Sequence, residues 1–102
     1  MVSISSDVIR GYNDTMILYL LSKNPSYGYE ISKEIKALSE EKYVIKETTL
    51  YSAFTRMEDN GYIVGGVGVI GNIYKYLLNR HIDLHFCFLR AVHYFQRVFD
   101  KG

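Results

Sequence analysis

Residues 46–61, KETTLYSAFTRMEDNG, carry the clearest periodic pattern in this chain of 102 residues. Apolar side chains recur there at i, i+3, i+4 and i+7, which places them on one buried face of an α-helix. These side chains are Leu50, Ala53, Phe54 and Met57. Asn60 and Gly61 follow, and they supply the left-handed residue at which a helix commonly ends. The stretch therefore predicts one amphipathic helix with a defined stop.

The opposite face of this helix is polar. Its side chains can form hydrogen bonds with a partner outside the chain. They are Thr49, Tyr51, Ser52, Thr55 and Arg56. A short helix with one packed face and one face rich in hydroxyl groups is suited to enter a groove or to meet a polar surface.

The composition is that of a globular domain, with 48% apolar and 15% aromatic residues. A chain of this length supports one hydrophobic core. The single cysteine, Cys87, excludes an internal disulfide and a zinc site built from several cysteines. No charged and then apolar leader is apparent, and no apolar run approaches the ~20 residues that span a bilayer. We expect a cytoplasmic protein with no contact to a membrane.

The charge of the chain does not by itself indicate nucleic acid. The net charge is +1, and residues 1–64 carry seven Lys or Arg against nine Asp or Glu, which gives −2. Residues 65–102 carry five against two, which gives +3. Nucleic-acid-binding domains often show a strongly basic stripe. A DNA-binding function must therefore rest on the motifs.

Two helices are predicted before residue 46. The first runs from about Asp7 to Ser22, with Gly11 weakening its early part, and the second from Tyr27 to about Ser39 with Ser26 as its cap. The second buries Ile31, Ile35 and Leu38 on one face. Gly28 in its first turn predicts a close approach by another backbone or by a ligand. Residues 43–45 form a short run that favours β-structure.

A β-hairpin and a long helix are predicted after residue 61. The hairpin pairs Tyr62–Val64 with Ile73–Leu78 through a glycine-rich tip, whose glycines leave the register poorly specified. Asn79 is the predicted cap of a last helix from about Arg80 to Asp100. That helix is apolar over so much of its circumference that it needs more cover than one small domain provides.

Three helices followed by a hairpin predict a mainly α fold with a small β-hairpin, the winged helix-turn-helix, in which the third helix reads DNA. The motifs resemble those of the PadR family of bacterial transcriptional regulators. The residues that carry the resemblance are the GYEI of 28–31, Thr49-Leu50-Tyr51, Arg56-Met57-Glu58 and Asn60-Gly61-Tyr62-Ile63, and the start at residues 5–11 with Asp14 is similar to that of the short subfamily.

The resemblance implies a homodimeric DNA-binding repressor of palindromic operators, often relieved by a small phenolic or drug-like ligand at the dimer interface. Residues 1–78 would form the winged helix-turn-helix and residues 79–102 the dimerisation helix. The interface residues implied on that helix are Ile82, Phe86, Leu89, Val92, Phe95 and Phe99. Their rings could line the ligand site or simply form the core of the dimer.

The resemblance weakens after Val64. The family usually has a basic second strand in the wing, whereas residues 65–78 contain a single basic residue, Lys75. The change in composition is abrupt, so that a shifted reading frame in the last third is one hypothesis and a genuinely unusual wing is the other. Alternative frames of the coding sequence distinguish them.

The expected DNA-contacting residues lie on the second and third helices, the turn between them and the wing. They are Tyr27, Gly28, Lys42, Lys46, Thr48, Thr49, Tyr51, Ser52, Arg56 and Lys75. Hydroxyl groups near a helix N-terminus suit phosphate oxygens, and an arginine suits a phosphate or a guanine edge. The alternative is an ordinary solvated face, in which case the module would mediate protein association.

No catalytic or cofactor site is predicted. The sequence contains no nucleophile elbow, phosphate loop or paired acid and base. His81 and His85 stand at i, i+4 but without the glutamate of an HExxH motif, so we expect no metal site. We therefore expect neither an enzyme nor a bound cofactor.

Overall fold

A computed structural model describes residues 6–77 and 84–99 of the chain. These residues form four helices and one antiparallel sheet of three strands. The helices are α1 (Ser6–Lys23), α2 (Gly28–Leu38), α3 (Glu47–Asp59) and α4 (Leu84–Phe99), and the strands are β1 (Ser26–Tyr27), β2 (Ile63–Gly68) and β3 (Gly71–Tyr76). The order confirms the predicted mainly helical winged-helix fold. Gly11 does not interrupt α1, which is continuous from Ser6 to Lys23.

The sheet contains one strand that the sequence pattern did not predict. Ser26 was expected to cap α2, but Ser26 and Tyr27 instead pair with Tyr74 and Ile73 of β3, so that the strand order is β1-β3-β2. The helix begins at Gly28, and Tyr27 at its N-cap position makes no side-chain capping bond. A strand of two residues shows no periodicity, and its pairing depends on a segment far away in the chain.

The hairpin is longer and better defined than predicted. Its ladder pairs Ile63 with Tyr76 at the base and Gly68 with Gly71 at the tip, which leaves Val69 and Ile70 as the turn. Burial fixes the register, because Ile63 and Tyr74 both face the core. The Tyr74 ring stacks on Phe54 of α3 with ring centroids 4.0 Å apart. The wing is thereby packed directly against the third helix.

The core forms where α1, α2, α3 and the sheet meet. The four apolar side chains predicted on α3 are all buried, with relative exposures of 1–2%. Ile31 and Ile35 of α2 are buried as predicted, but Leu38, the last residue of that helix, is 38% exposed. Residues 43–45 form no strand; Ile45 is nevertheless buried.

Helix α4 packs against α1 through one stripe of its surface. Phe88 stacks on Tyr19 at 4.1 Å, and Phe95 stacks on Tyr43 at 4.2 Å between ring centroids. Phe95 is fully buried within the single chain, so it is not available to the expected dimer interface. Phe86 and Leu89 are exposed and Val92 is half-buried. The predicted Asn79 cap and Ile82 lie outside the described residues, as does the side chain of Phe99.

Neither a membrane span nor a metal cluster occurs in the described part of the chain. In residues 6–77 and 84–99, no helix is long and apolar enough to cross a membrane. Within these same two ranges, no group of three or more His, Cys, Asp or Glu residues is arranged to hold a metal ion.

Candidate nucleic-acid interface

The predicted recognition helix ends in a Schellman motif. Gly61 adopts φ +75°, and its N–H donates to the carbonyl of Glu58 while the N–H of Tyr62 donates to the carbonyl of Met57. A side chain at position 61 would strain this left-handed conformation. The stop predicted from Asn60 and Gly61 therefore has the expected geometry, and it directs the chain into β2.

The turn between α2 and α3 is held by Ser39. This buried side chain accepts a hydrogen bond from the N–H of Tyr43 at 3.0 Å, and its hydroxyl donates to the carbonyl of Lys36 in α2 or to that of Tyr43. The next two residues, Glu40 and Glu41, both adopt left-handed conformations with φ 56° and 64°. The Tyr43 hydroxyl donates to the Asn13 Oδ1 of α1 at 2.8 Å. These hydrogen bonds connect the turn to α1 and lie where the chain passes from α2 to α3.

Gly28 lies at the contact between the two helices of the motif. A Cβ atom at this position would come within 2.9 Å of the Tyr51 hydroxyl and 3.1 Å of the Phe54 ring. The close approach predicted for this glycine is real, but side chains of α3 make it rather than another backbone or a ligand. Gly28 is buried, so its contribution is to let α3 pack closely on α2.

The outward face of α3 carries most of the residues expected to contact DNA. Thr48, Thr49 and Ser52 are exposed, and Tyr51 is 40% exposed. Lys46 is exposed at the N-cap position. These residues form a continuous polar surface at the N-terminal half of the helix, where hydroxyl groups and free backbone N–H groups suit phosphate oxygens.

A cleft of about 370 Å³ runs beside this surface, between α1 and α3; we call it the α1–α3 cleft. Residues of both helices line it. They are Ile9, Arg10 and Asn13 of α1 and Thr48, Thr49, Ser52, Ala53 and Arg56 of α3. The cleft therefore joins the hydroxyl-rich face of the third helix to a basic residue of the first.

Arg56 is held at this cleft by an ion pair. Its Nε donates to Asp14 Oδ2 at 3.3 Å, and its Nη2 donates to Asp14 Oδ1. Burial raises the pKa of Asp14, while Arg56 and, with a smaller effect, Arg10 act in the opposite direction. Arg56 was expected to reach a phosphate or a base edge. The structure gives its guanidinium group an intramolecular partner that fixes α3 to α1.

Tyr27 is placed at the wing. Its half-buried side chain accepts a hydrogen bond at 3.2 Å from the N–H of Val69, in the turn of the hairpin. Glu58 of α3 accepts a second bond to the wing, from the N–H of Gly65 at 3.1 Å. Two side chains outside the hairpin therefore hold it beside the third helix.

The wing itself offers little positive charge. Residues 63–72 contain no charged side chain, and Val67 and Val69 near the tip are 94% and 95% exposed. Lys75 is exposed on β3, where it pairs with Val64. Lys42 is half-buried in the turn before α3, with its Nζ 3.7 Å from Glu40. The structure thus exposes Thr48, Thr49, Tyr51 and Ser52 on α3, whereas Arg56, Gly28, Tyr27 and Lys42 have contacts within the chain.

Comparison with known proteins identifies the family. The sequence model that describes the transcriptional regulator PadR-like family matches residues 17–78, which is more than half of the chain. The chain belongs to this family. It is therefore a DNA-binding transcriptional regulator and not an enzyme, as the motifs of residues 28–63 predicted.

Two solved structures of similar proteins support the assignment. A transcriptional regulator from Clostridium thermocellum is 46% identical, with a TM-score of 0.66 over 97% of this chain and 87% of that one. A PadR family regulator from hypervirulent Clostridium difficile is 28% identical, with a TM-score of 0.59 over 89% and 97%.

One curated relative is similar in sequence over a shorter range. An uncharacterised protein of Lysinibacillus sphaericus is 41% identical over 69 residues, which are 68% of this chain. The match spans 63% of that relative's length.

Proposed function

We propose that this PadR-family protein is a repressor that binds palindromic operator DNA as a homodimer, with α3 of each protomer in a major groove. The observation that supports this proposal is the exposed, hydroxyl-rich face of α3. A dimer would place two such helices in successive major grooves, about one helical turn apart. Thr49, Tyr51 and Ser52 would contact the DNA, with Lys46 and Lys75 neutralising phosphates.

The test is fluorescence anisotropy at several salt concentrations. It compares the affinity for a duplex from upstream of the protein's own gene with the affinity for a scrambled duplex of the same length. We expect Ser52→Ala to weaken binding to the upstream duplex about fivefold, the loss of one hydrogen bond worth ~1 kcal/mol. Ser22→Ala is the matched control, because Ser22 is an exposed serine at the other end of α1. Binding of the two duplexes with equal affinity would refute operator recognition.

Dimerisation through α4 is supported by large apolar side chains that are exposed in the single chain. Phe86 is 56% exposed, Leu89 is 50% exposed, and Val8 of α1 is 42% exposed. Large apolar side chains of this kind commonly mark a protein interface. We expect Leu89→Glu to convert a dimer to a folded monomer in sedimentation velocity, with unchanged helical content by circular dichroism. A wild-type protein that sediments as a monomer would contradict this part of the proposal.

Relief of repression by a small aromatic ligand is supported by a second cleft, of about 360 Å³, between α1 and α4. It is lined by Val8, Gly11, Tyr12, Thr15, Cys87 and Arg90. Its volume lies within the range of small-molecule sites, and its lining combines an aromatic ring with a few polar groups. We expect simple phenols to release labelled DNA from the wild-type protein. Thr15→Trp, which would fill the cleft, should abolish this release.

A further inference from the structure

The α1–α3 cleft contains a charged cluster that the helix-turn-helix motif alone does not explain. Arg10, Asp14 and Arg56 lie around it, and the Arg10 charge acts on the Asp14 carboxyl group. Two of these three side chains are cations. Asp14 uses both of its oxygens to bind Arg56, which keeps that side chain at the side of the cleft.

The rest of the cleft lining is suited to an oxyanion. Thr48 and Ser52, both exposed, bring hydroxyl donors to the side opposite Arg10. The cleft also borders the N-terminal half of α3, where the helix dipole favours negative charge. Lys46 and Glu47 at that end have opposite charges, and the cation that α1 contributes to the cleft lining is Arg10.

We infer that the α1–α3 cleft holds one backbone phosphate of bound DNA, with Arg10 supplying the charge and the hydroxyl groups of Thr48 and Ser52 donating hydrogen bonds. The inference rests on the proposed function. A helix that fills a major groove has a sugar-phosphate backbone on each side, and the cleft lies directly beside the face of α3 assigned to the groove. Helix α1 then becomes part of the DNA-binding surface.

The contact has a distinctive signature, because a phosphate contact is independent of base sequence and depends on salt. We expect Arg10→Gln to weaken binding about three- to tenfold, equally for the upstream and the scrambled duplex. The slope of log K against log salt concentration should fall by about one. Arg10→Lys keeps the charge and should restore most of the slope.

The control is Lys23→Gln, which removes an exposed cation from the same helix about 20 Å away at 1.5 Å per residue. It should leave both affinity and slope unchanged. If Arg10→Gln does not fold, Thr48→Val tests the same cleft at an exposed position. Equal slopes for wild type and a folded Arg10→Gln protein would overturn the inference, and so would an unchanged affinity of Thr48→Val for both duplexes.

Two further measurements distinguish the phosphate contact from operator recognition and from the binding of a free anion. If the wild type binds both duplexes equally, operator recognition fails, but a reduced slope in Arg10→Gln on either duplex still supports the phosphate contact. A thermal-shift titration with inorganic phosphate, against chloride at equal ionic strength, tests a free anion as the occupant. We expect no difference between the salts; stabilisation by phosphate that disappears in Arg10→Gln, together with equal salt slopes of the two proteins for DNA, would overturn the assignment to DNA.

Discussion

The two partners of the ion pair between Asp14 and Arg56 should contribute unequally to stability when each is replaced. Both side chains are partly buried, with 26% and 34% relative exposure. Removing the cation leaves a partly buried carboxylate without its main partner, whereas removing the carboxylate leaves an arginine that reaches water more easily. We therefore expect Arg56→Gln to be considerably more destabilising than Asp14→Asn.

The magnitude follows from the exposure of the pair. An unsatisfied charged acceptor costs about 1–3 kcal/mol or more when buried, and solvent screening reduces this for a group that water still reaches. We expect Arg56→Gln to lower the free energy of unfolding by about 1–2 kcal/mol at pH 7, which corresponds to a fall in Tm of roughly 5–10 °C. Asp14→Asn should change it by less than about 0.5 kcal/mol, because burial disfavours the charge that it removes.

The pH dependence has a definite sign. The pKa of Asp14 in the folded chain lies above its ordinary value of 3.8, so that protonation favours the folded state. This contribution is complete below about pH 3.8 and is lost as the pH rises through the folded pKa. The deficit of Arg56→Gln should therefore be largest at neutral pH and should shrink on acidification.

The assay is urea denaturation of the wild type, both single variants and the double variant between pH 3.5 and pH 7. The double variant should recover most of the stability lost in Arg56→Gln, because it contains no unpaired carboxylate. If Asp14→Asn loses as much stability as Arg56→Gln at pH 7, the attraction within the pair outweighs the cost of burial and the reasoning is wrong.

Three further predictions concern other contacts and backbone conformations in the structure. Phe95→Ala should cost about 3–5 kcal/mol in chemical denaturation, because the ring is fully buried against Tyr43; a loss below about 1 kcal/mol would contradict the packing of α4. Glu41→Gly should raise the free energy of unfolding by about 0.5–1 kcal/mol, because φ is 64° there, whereas Glu34→Gly inside α2 should lower it by about 1 kcal/mol. Tyr27→Phe removes the acceptor of the Val69 N–H, so that hydrogen exchange of that amide should accelerate while the Tm changes little. An unchanged exchange rate would contradict this hydrogen bond.

The prediction from sequence succeeded where the signal is local. The stripe of α3 has a period close to the helical repeat and is confirmed residue by residue as buried. The end of the helix at Gly61 depends on a single residue in the left-handed conformation, and Gly61 has the expected positive φ of +75°. The fold class followed from the order of such elements, and the family followed from short motifs that lie on them.

The candidate site was predicted less completely, because its arrangement depends on contacts between distant residues. Arg56 looked like an outward-facing side chain on a helical wheel, but Asp14, 42 residues earlier, binds it. Gly28 was singled out correctly for close packing, yet only the structure identifies Tyr51 and Phe54 as the groups that approach it. The anchor of the turn, Ser39, gave no signal beyond its place at the end of a helix.

The sequence by itself determined the local elements of this protein: which stretches form helices, which face of α3 is buried, and where that helix ends. Only the tertiary structure decided that Ser26 and Tyr27 form a strand, that Phe95 belongs to the core, and that the α1–α3 cleft brings a basic side chain beside the recognition face. The physical reason is the range of the interactions. Helix periodicity and caps act within a few residues, whereas strand pairing, ring stacking and ion pairs join segments that meet only when the whole chain has folded.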